Sequence, residues 1–128
     1  MRLLLDTHTL VWWAGRSPRL PGRVYVTLSE SAHSLHVSAA TIWEMAIKAR
    51  KGRFPAAAAL LERLDEILAR LEITPVAITH DHARHAGALA SHHGDPFDRM
   101  LAAQAELESM ALVSADRVFD RYDVDRIW

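Results

Sequence analysis

At 128 residues, half of them hydrophobic, the chain has the material for one domain with a substantial core. It has no Cys, which excludes a disulfide framework and thiolate chemistry, and its net charge of −1 and pI of about 6.7 lack the global basic signature of a nucleic-acid binder, so local patches must decide. No apolar run approaches the ~18 residues of a membrane span and residues 1–6 hold too short an apolar block for a signal peptide, so a cytoplasmic protein is expected.

In chain order, the apolar run 2–6 ends in an acid and reads as a buried strand. A cap at Asp6 or Thr7, a helix of about two turns and a stop at Gly15 follow. Ser17-Pro18 opens a turn, and Pro21-Gly22 starts a second helix with Val24, Leu28 and Ala32 on one side. Leu35-His36-Val37-Ser38 is predicted as a second strand. Over 39–51 the spacing predicts a helix with Ile42, Trp43, Ala46 and Ile47 as its apolar stripe and Gly52 as terminator. Pro55 starts a helix over 56–71, where Leu60, Leu61, Leu64, Ile67, Leu68 and Leu71 recur at spacings of three and four. Residues 73–78 are predicted as a third strand, weakened by Pro75. Thr79 caps a His-rich helix running to about His92, and Gly94 ends it.

Gly94-Asp95-Pro96-Phe97-Asp98 reads as a loop turning into a helix that extends to about Ser109. Pro96 suits the first helical position and Asp95 the N-cap. Asp98 falls in the first turn, where its charge meets the positive end of the helix dipole. Residues 111–114 form a fourth strand, Ala115-Asp116 begins a short turn or helix through Phe119, and 124–128 supplies a last, short edge strand.

Strands alternating with helices predict an α/β fold of three layers: a mostly parallel central sheet of about four to five strands with helices on both faces, in one domain over 1–128. In such a sheet, every helix that follows a strand starts at the carboxyl edge, where ligands bind. That rule selects Asp6 after the first strand, Glu44 near the start of the helix after the second, Asp98, and Asp116 after the fourth. Singly, each has a bland account. Asp6 and Asp116 fit as caps, Thr41 and Glu44 stand at capping-box spacing, and Asp98 fits as a dipole partner. Crowded together, four carboxylates repel and raise one another's pKa values unless a hard divalent cation neutralises them. One or two such ions can activate water and clamp the oxygens of a phosphoryl group.

Four motifs stand in order: Asp6-Thr7-His8, Ser38-Ala39-Ala40-Thr41-Ile42-Trp43-Glu44, the segment from Asp95 to Ala105, and Ser114-Ala115-Asp116. In these the chain resembles the PIN domain, specifically the VapC-type toxin ribonucleases of type II toxin–antitoxin systems, over essentially its whole length. The resemblance implies a PIN-like fold with an acidic pocket. It implies an Mg²⁺-dependent (or Mn²⁺-dependent) endoribonuclease that hydrolyses RNA phosphodiester bonds, in tRNA or rRNA, with metal-activated water. Asp6, Glu44, Asp98 and Asp116 then correspond to the catalytic and metal-binding acids, with Asp6 and Asp98 as the core ligands. Asp95 becomes the cap or an outer residue, so Asp95→Asn should lower stability more than activity and Asp98→Asn the reverse. The resemblance further implies RNA as substrate, a VapB-type antitoxin protein as inhibitory partner, and a homodimer or toxin–antitoxin hetero-oligomer, with no membrane partner.

Other readings fit less well. A haloacid-dehalogenase-like phosphatase needs a second Asp two residues after the first, where His8 stands, and a receiver domain needs a late Lys, whereas none follows Leu101. A catalytically idle PIN scaffold that binds RNA or protein is the alternative, opposed by the four intact acids.

Lys48, Arg50, Lys51 and Arg53 set four positive charges within six positions. They suit either a helix C-terminus, with Glu44–Lys48 as an i,i+4 pair, or an RNA-backbone contact beside the pocket. His80, His82, His85, His92 and His93 lack zinc-binding spacing and are expected on a solvated helix face. His8 is expected to touch substrate or orient Asp6, and Arg99 to pair with a neighbouring acid. Trp12, Trp13 and Trp43 are expected to face the core or a partner.

Overall fold

The computed structural model describes residues 1–90 and 95–128. Among these residues, five strands, β1 (Arg2–Leu5), β2 (Ser34–Ser38), β3 (Ile73–Val76), β4 (Ala111–Val113) and β5 (Arg126–Ile127), pair in the order β3-β2-β1-β4-β5. All four pairings are parallel, as the strand–helix alternation predicts. After the exposed Arg2, β1 is apolar from Leu3 to Leu5 because both faces of a parallel sheet are covered. Leu3 and Leu5 point into one core with Val37 and Val113, while Leu4 points into the other with Leu112.

Those two cores define the layers. On one face lie α1 (Thr7–Ala14), α2 (Gly22–Ser29), α3 (Ala39–Arg50), α4 (Pro55–Glu62) and α5 (Leu64–Arg70), contributing among others Leu10, Val24, Met45, Leu60 and Leu68. The other face is covered by α7 (Pro96–Glu108), through Leu101, Ala102 and Ala105, and by Phe119 of a 3₁₀ turn, Arg117–Arg121. α6 (His80–Ala88) packs on α7. Among the described residues no helix is long and apolar enough to cross a membrane.

Several local expectations are corrected. α2 stops at Ser29, leaving Ala32 exposed beyond it. α3 turns Ala40, Thr41 and Met45 inward, while Trp43 and Ala46 of the expected stripe face solvent and Ile42 is only partly buried. The helix expected over 56–71 is two helices, broken where Arg63 leaves helical geometry at φ −127° and ψ 29°. Neither Gly nor Pro marks that break, so the leucine period runs straight through it. β3 ends at Val76 and tolerates Pro75 because it is an edge strand, with no ladder partner on one side among the described residues. α6 ends at Ala88, short of His92; the expectations placed on His92, His93 and Gly94 lie outside the described residues.

The histidine face is also not simply solvated. His82 is 2 % exposed. Thr79 N–H donates to its Nδ1 (3.1 Å), so Nε2 carries the proton and donates to Glu108 (2.8 Å), while Gln104 also approaches Nδ1 at 3.3 Å. The reverse bond, His82 N–H to Thr79 Oγ1, completes a capping box. His85 is tied to Glu106 in the same way across the two helices. His82→Ala should therefore cost about 2–3 kcal/mol, because it removes a buried ring together with its bonds to Thr79, Glu108 and Gln104. Chemical denaturation checks this, and His85→Ala, at a more exposed position, should cost less.

Candidate active site

The sheet register aligns Leu5, Val37 and Val113, so the chain leaves three adjacent strands at the same level. Asp6, Ser38 and Ser114 are the first groups at that edge, and each side chain does local work there. Asp6 caps α1 by accepting from Thr9 N–H (2.9 Å) through Oδ1, while Ser114 Oγ donates to its Oδ2. Ser38 caps α3 by accepting from Ala40 N–H (3.0 Å). Ser114 Oγ also accepts from Asp116 N–H (3.0 Å), and Asp116 in turn caps the 3₁₀ turn through Val118 N–H (3.0 Å).

Ser38 as the cap of α3 overturns the capping-box account of Thr41 and Glu44. Glu44 lies well inside the helix, where it accepts from Thr7 Oγ1 and pairs with Lys48 at 3.0 Å. Its side chain is 13 % exposed, so it is held in place from both sides. Asp95 behaves as the expected N-cap of α7, accepting from Phe97 N–H (2.9 Å) and Asp98 N–H (3.4 Å). Because Asn caps as well as Asp, the informative substitution is Asp95→Ala, which should cost about 1 kcal/mol in thermal or chemical unfolding.

All four selected acids, joined by Asp95, line one cavity of ≈ 450 Å³ together with Thr7, His8, Trp12, Arg19, Lys48 and Ala115. The electrostatics show how tightly they are grouped. Burial, followed by the negative charges of Asp95, Glu44, Asp116 and Asp6, pushes the Asp98 carboxyl up to about 7. A carboxyl raised by every neighbouring acid is a centre short of positive charge. Hard oxygen donors of this kind suit Mg²⁺ or Mn²⁺ rather than a soft metal. Among the described residues no three acid or imidazole side chains already stand as a ready-made cage. Mg²⁺ characteristically keeps several waters and takes only one or two carboxylates, which such an acidic hollow can supply.

The remaining expectations divide. His8 does not bond Asp6, whose partners are Thr9 and Ser114; its exposed ring instead stacks on Phe54. Of the basic cluster, Lys48 lines the cavity, and Arg50, Lys51 and Arg53 are exposed at the far end of α3 and beyond. The contacts described for Arg99 run to backbone carbonyls, Ala86 at 2.9 Å and Gly87 at 3.3 Å, fastening α7 to α6 rather than meeting an acid. Trp12 and Trp13 pack against the core, while Trp43 is 61 % exposed with its ring edge-on to Phe97 at 5.2 Å. A larger hollow of ≈ 650 Å³ over Thr79, His82, His85 and Glu108 lies apart from the acids.

Sequence reasoning passed over Thr7 and Ser114 as supports and Arg19 as a lining cation. Thr7 read as a cap, and its partner Glu44 lies 37 positions away. Thr7→Val preserves the buried volume and removes that hydrogen bond. It should weaken divalent-cation binding about 10- to 100-fold, measured by calorimetric titration, at only about 1 kcal/mol of stability.

Comparison with known proteins follows the same lines. The family model of the PIN domain matches residues 3–125. Ribonuclease VapC22 of Mycobacterium tuberculosis is 34% identical over 116 residues, which span 90% of this chain and 87% of that protein. VapBC2 from Rickettsia felis, solved bound to a DNA fragment from its promoter, superposes with a TM-score of 0.74 at 16% identity, covering 99% of this chain and 98% of that one. A toxin–antitoxin complex from Klebsiella pneumoniae gives a TM-score of 0.61 at 18% identity, covering 89% and 86%. At such identities these two structures establish the shared fold.

Proposed function

Because the chain belongs to the PIN domain family, we propose that it is a single-domain, Mg²⁺-dependent endoribonuclease, with Mn²⁺ able to substitute, and the toxin of a type II toxin–antitoxin module. The observation that carries this reading is the gathering of Asp98 and four further acids in one cavity at the carboxyl edge of the sheet, a crowding that also raises the Asp98 carboxyl. The 34% identity to a protein named as a ribonuclease supports the choice of RNA.

Asp6 and Asp98 are the residues that would hold the cation, with Glu44 and Asp116 completing its surroundings. A bound divalent ion supplies positive charge for the phosphate and lowers the pKa of water enough to make it a nucleophile near neutral pH. Everything else is done by the chain. Thr9 N–H and Ser114 O–H fix the orientation of Asp6, and Thr7 and Lys48 fix Glu44. Lys48 and Arg19 add positive charge at the cavity wall, where a polyanion must approach an acidic floor. No His or Ser nucleophile is required.

Likeness to VapBC2 and to a toxin–antitoxin complex supports a VapB-type antitoxin as the inhibitory protein partner, in a hetero-oligomer or with the toxin as homodimer. tRNA and rRNA are the first substrates to test. Purified chain incubated with total tRNA and rRNA plus Mg²⁺, with the new ends mapped, should give a small set of discrete cuts. Intact RNA under both Mg²⁺ and Mn²⁺ would leave the catalytically idle scaffold as the better account.

A further inference from the structure

The acidic cavity has an aromatic wall that the proposed hydrolysis does not use. The His8 ring stacks on Phe54 with centroids 4.9 Å apart and planes 27° from parallel, and lies 5.5 Å from Trp12. Trp12 continues the series to Trp128 at 5.9 Å. Phe54 sits in the left-handed region at φ 55°, a conformation costly for a bulky side chain and kept only where the surroundings impose it. Lys48 Nζ lies 5.9 Å from the Phe54 centroid while also pairing with Glu44. His8, Trp12, Lys48 and Arg19 line the same cavity as the acids.

Phe54 and Trp12 are partly buried against the main core, which accounts for their placement by packing alone. That account does not extend to His8, which is exposed and outside the core. Its exposed ring lines the cavity, stacked on Phe54 and next to Trp12. Such a ring takes the face of any nucleobase, and the neighbouring cations suit the phosphates on either side. A duplex hides its base faces within its own stack, so the chemistry selects an unpaired strand.

We propose that His8, supported by Phe54 and Trp12, is the stacking seat for one base of single-stranded RNA in the acidic cleft, with Lys48 and Arg19 meeting the adjoining backbone. The assignment rests on the ribonuclease reading for its choice of RNA. It makes His8 a substrate-binding residue and gives the cleft a preference for unpaired RNA.

Binding is measured apart from cleavage, by fluorescence anisotropy of a labelled single-stranded RNA with the Asp98→Asn protein in Mg²⁺. Adding His8→Ala should weaken binding about tenfold, His8→Phe should restore it, and a duplex of the same sequence should bind weakly. An RNA series with one abasic nucleotide at each position should contain one member that binds weakly already and loses nothing further on His8→Ala. Binding within twofold of the parent after His8→Ala overturns the seat, as does an equal loss on every abasic RNA or equal affinity for the duplex. Cleavage by the wild-type chain together with His8-insensitive binding overturns the seat and leaves the nuclease standing. His8-sensitive binding without any cleavage by the wild-type chain overturns the nuclease and leaves the seat standing, and no RNA binding together with no wild-type cleavage overturns both.

Discussion

Asp98→Asn should abolish RNA cleavage and at the same time stabilise the cation-free protein. Both effects come from the same crowding. The Asp98 carboxyl is raised to about 7 by burial and by the charges of Asp95, Glu44, Asp116 and Asp6, so ionising it in the folded state works against folding. The sign follows from the two states. Below the ordinary carboxyl pKa of about 4 the group is protonated folded or unfolded and costs nothing. As pH rises towards 7 the unfolded chain ionises it freely while the folded chain resists, and the penalty is complete above the folded value. In a chelator, the melting temperature of Asp98→Asn minus that of the wild type should therefore be near zero at pH 4, grow to pH 7 and then level off. Mg²⁺ should shrink the difference by stabilising only the wild type. Activity should fall by roughly 10³-fold or more, as for loss of a group required for the reacting charge. A difference that is flat with pH, or a variant less stable at pH 7, would contradict the crowded-acid picture.

Asp6 calls for a paired substitution, because it is both a cap and a proposed ligand. Asp6→Asn keeps an oxygen for Thr9 N–H and leaves a side-chain amide that can donate to Ser114 Oγ, so the turn into α1 survives. Asp6→Ala removes both bonds and should cost about 2 kcal/mol. Cleavage should fall equally, by roughly 10³-fold or more, in both variants. Equal activity loss with unequal stability separates the ligand role from the cap role. Circular-dichroism melts and single-turnover cleavage read the two, and an Asp6→Asn protein with wild-type cleavage would remove Asp6 from the chemistry.

The parts of this arrangement that were legible in the sequence are those written in local signals. The end of β1 at Asp6, the Asp95-Pro96 start of α7 and the acid after β4 follow from strand runs, caps and a Pro at the first helical position. The convergence of Asp6, Glu44, Asp98 and Asp116 then follows from a parallel sheet, which sends every strand to the same edge. What stayed hidden depends on contacts between distant segments. Which side of α3 faces inward was set by the sheet and α4, so Thr41 and Met45 won over Trp43 and Ala46. His82 looked like one of a solvated row, although its position three residues after Thr79 is the local hint of a capping box; Glu108, 26 positions on, carries no such signal. Thr7 was visible beside Asp6, but its hold on Glu44 was not.

The purified chain incubated with end-labelled single-stranded RNA, with Mg²⁺ and then with EDTA, tests most directly whether these acids form a metal-dependent nuclease centre. Cleavage should require Mg²⁺, stop in EDTA, return when Mg²⁺ is restored, and be absent from the Asp98→Asn protein run in parallel. Cleavage undiminished in EDTA, or retained by Asp98→Asn, would contradict that assignment.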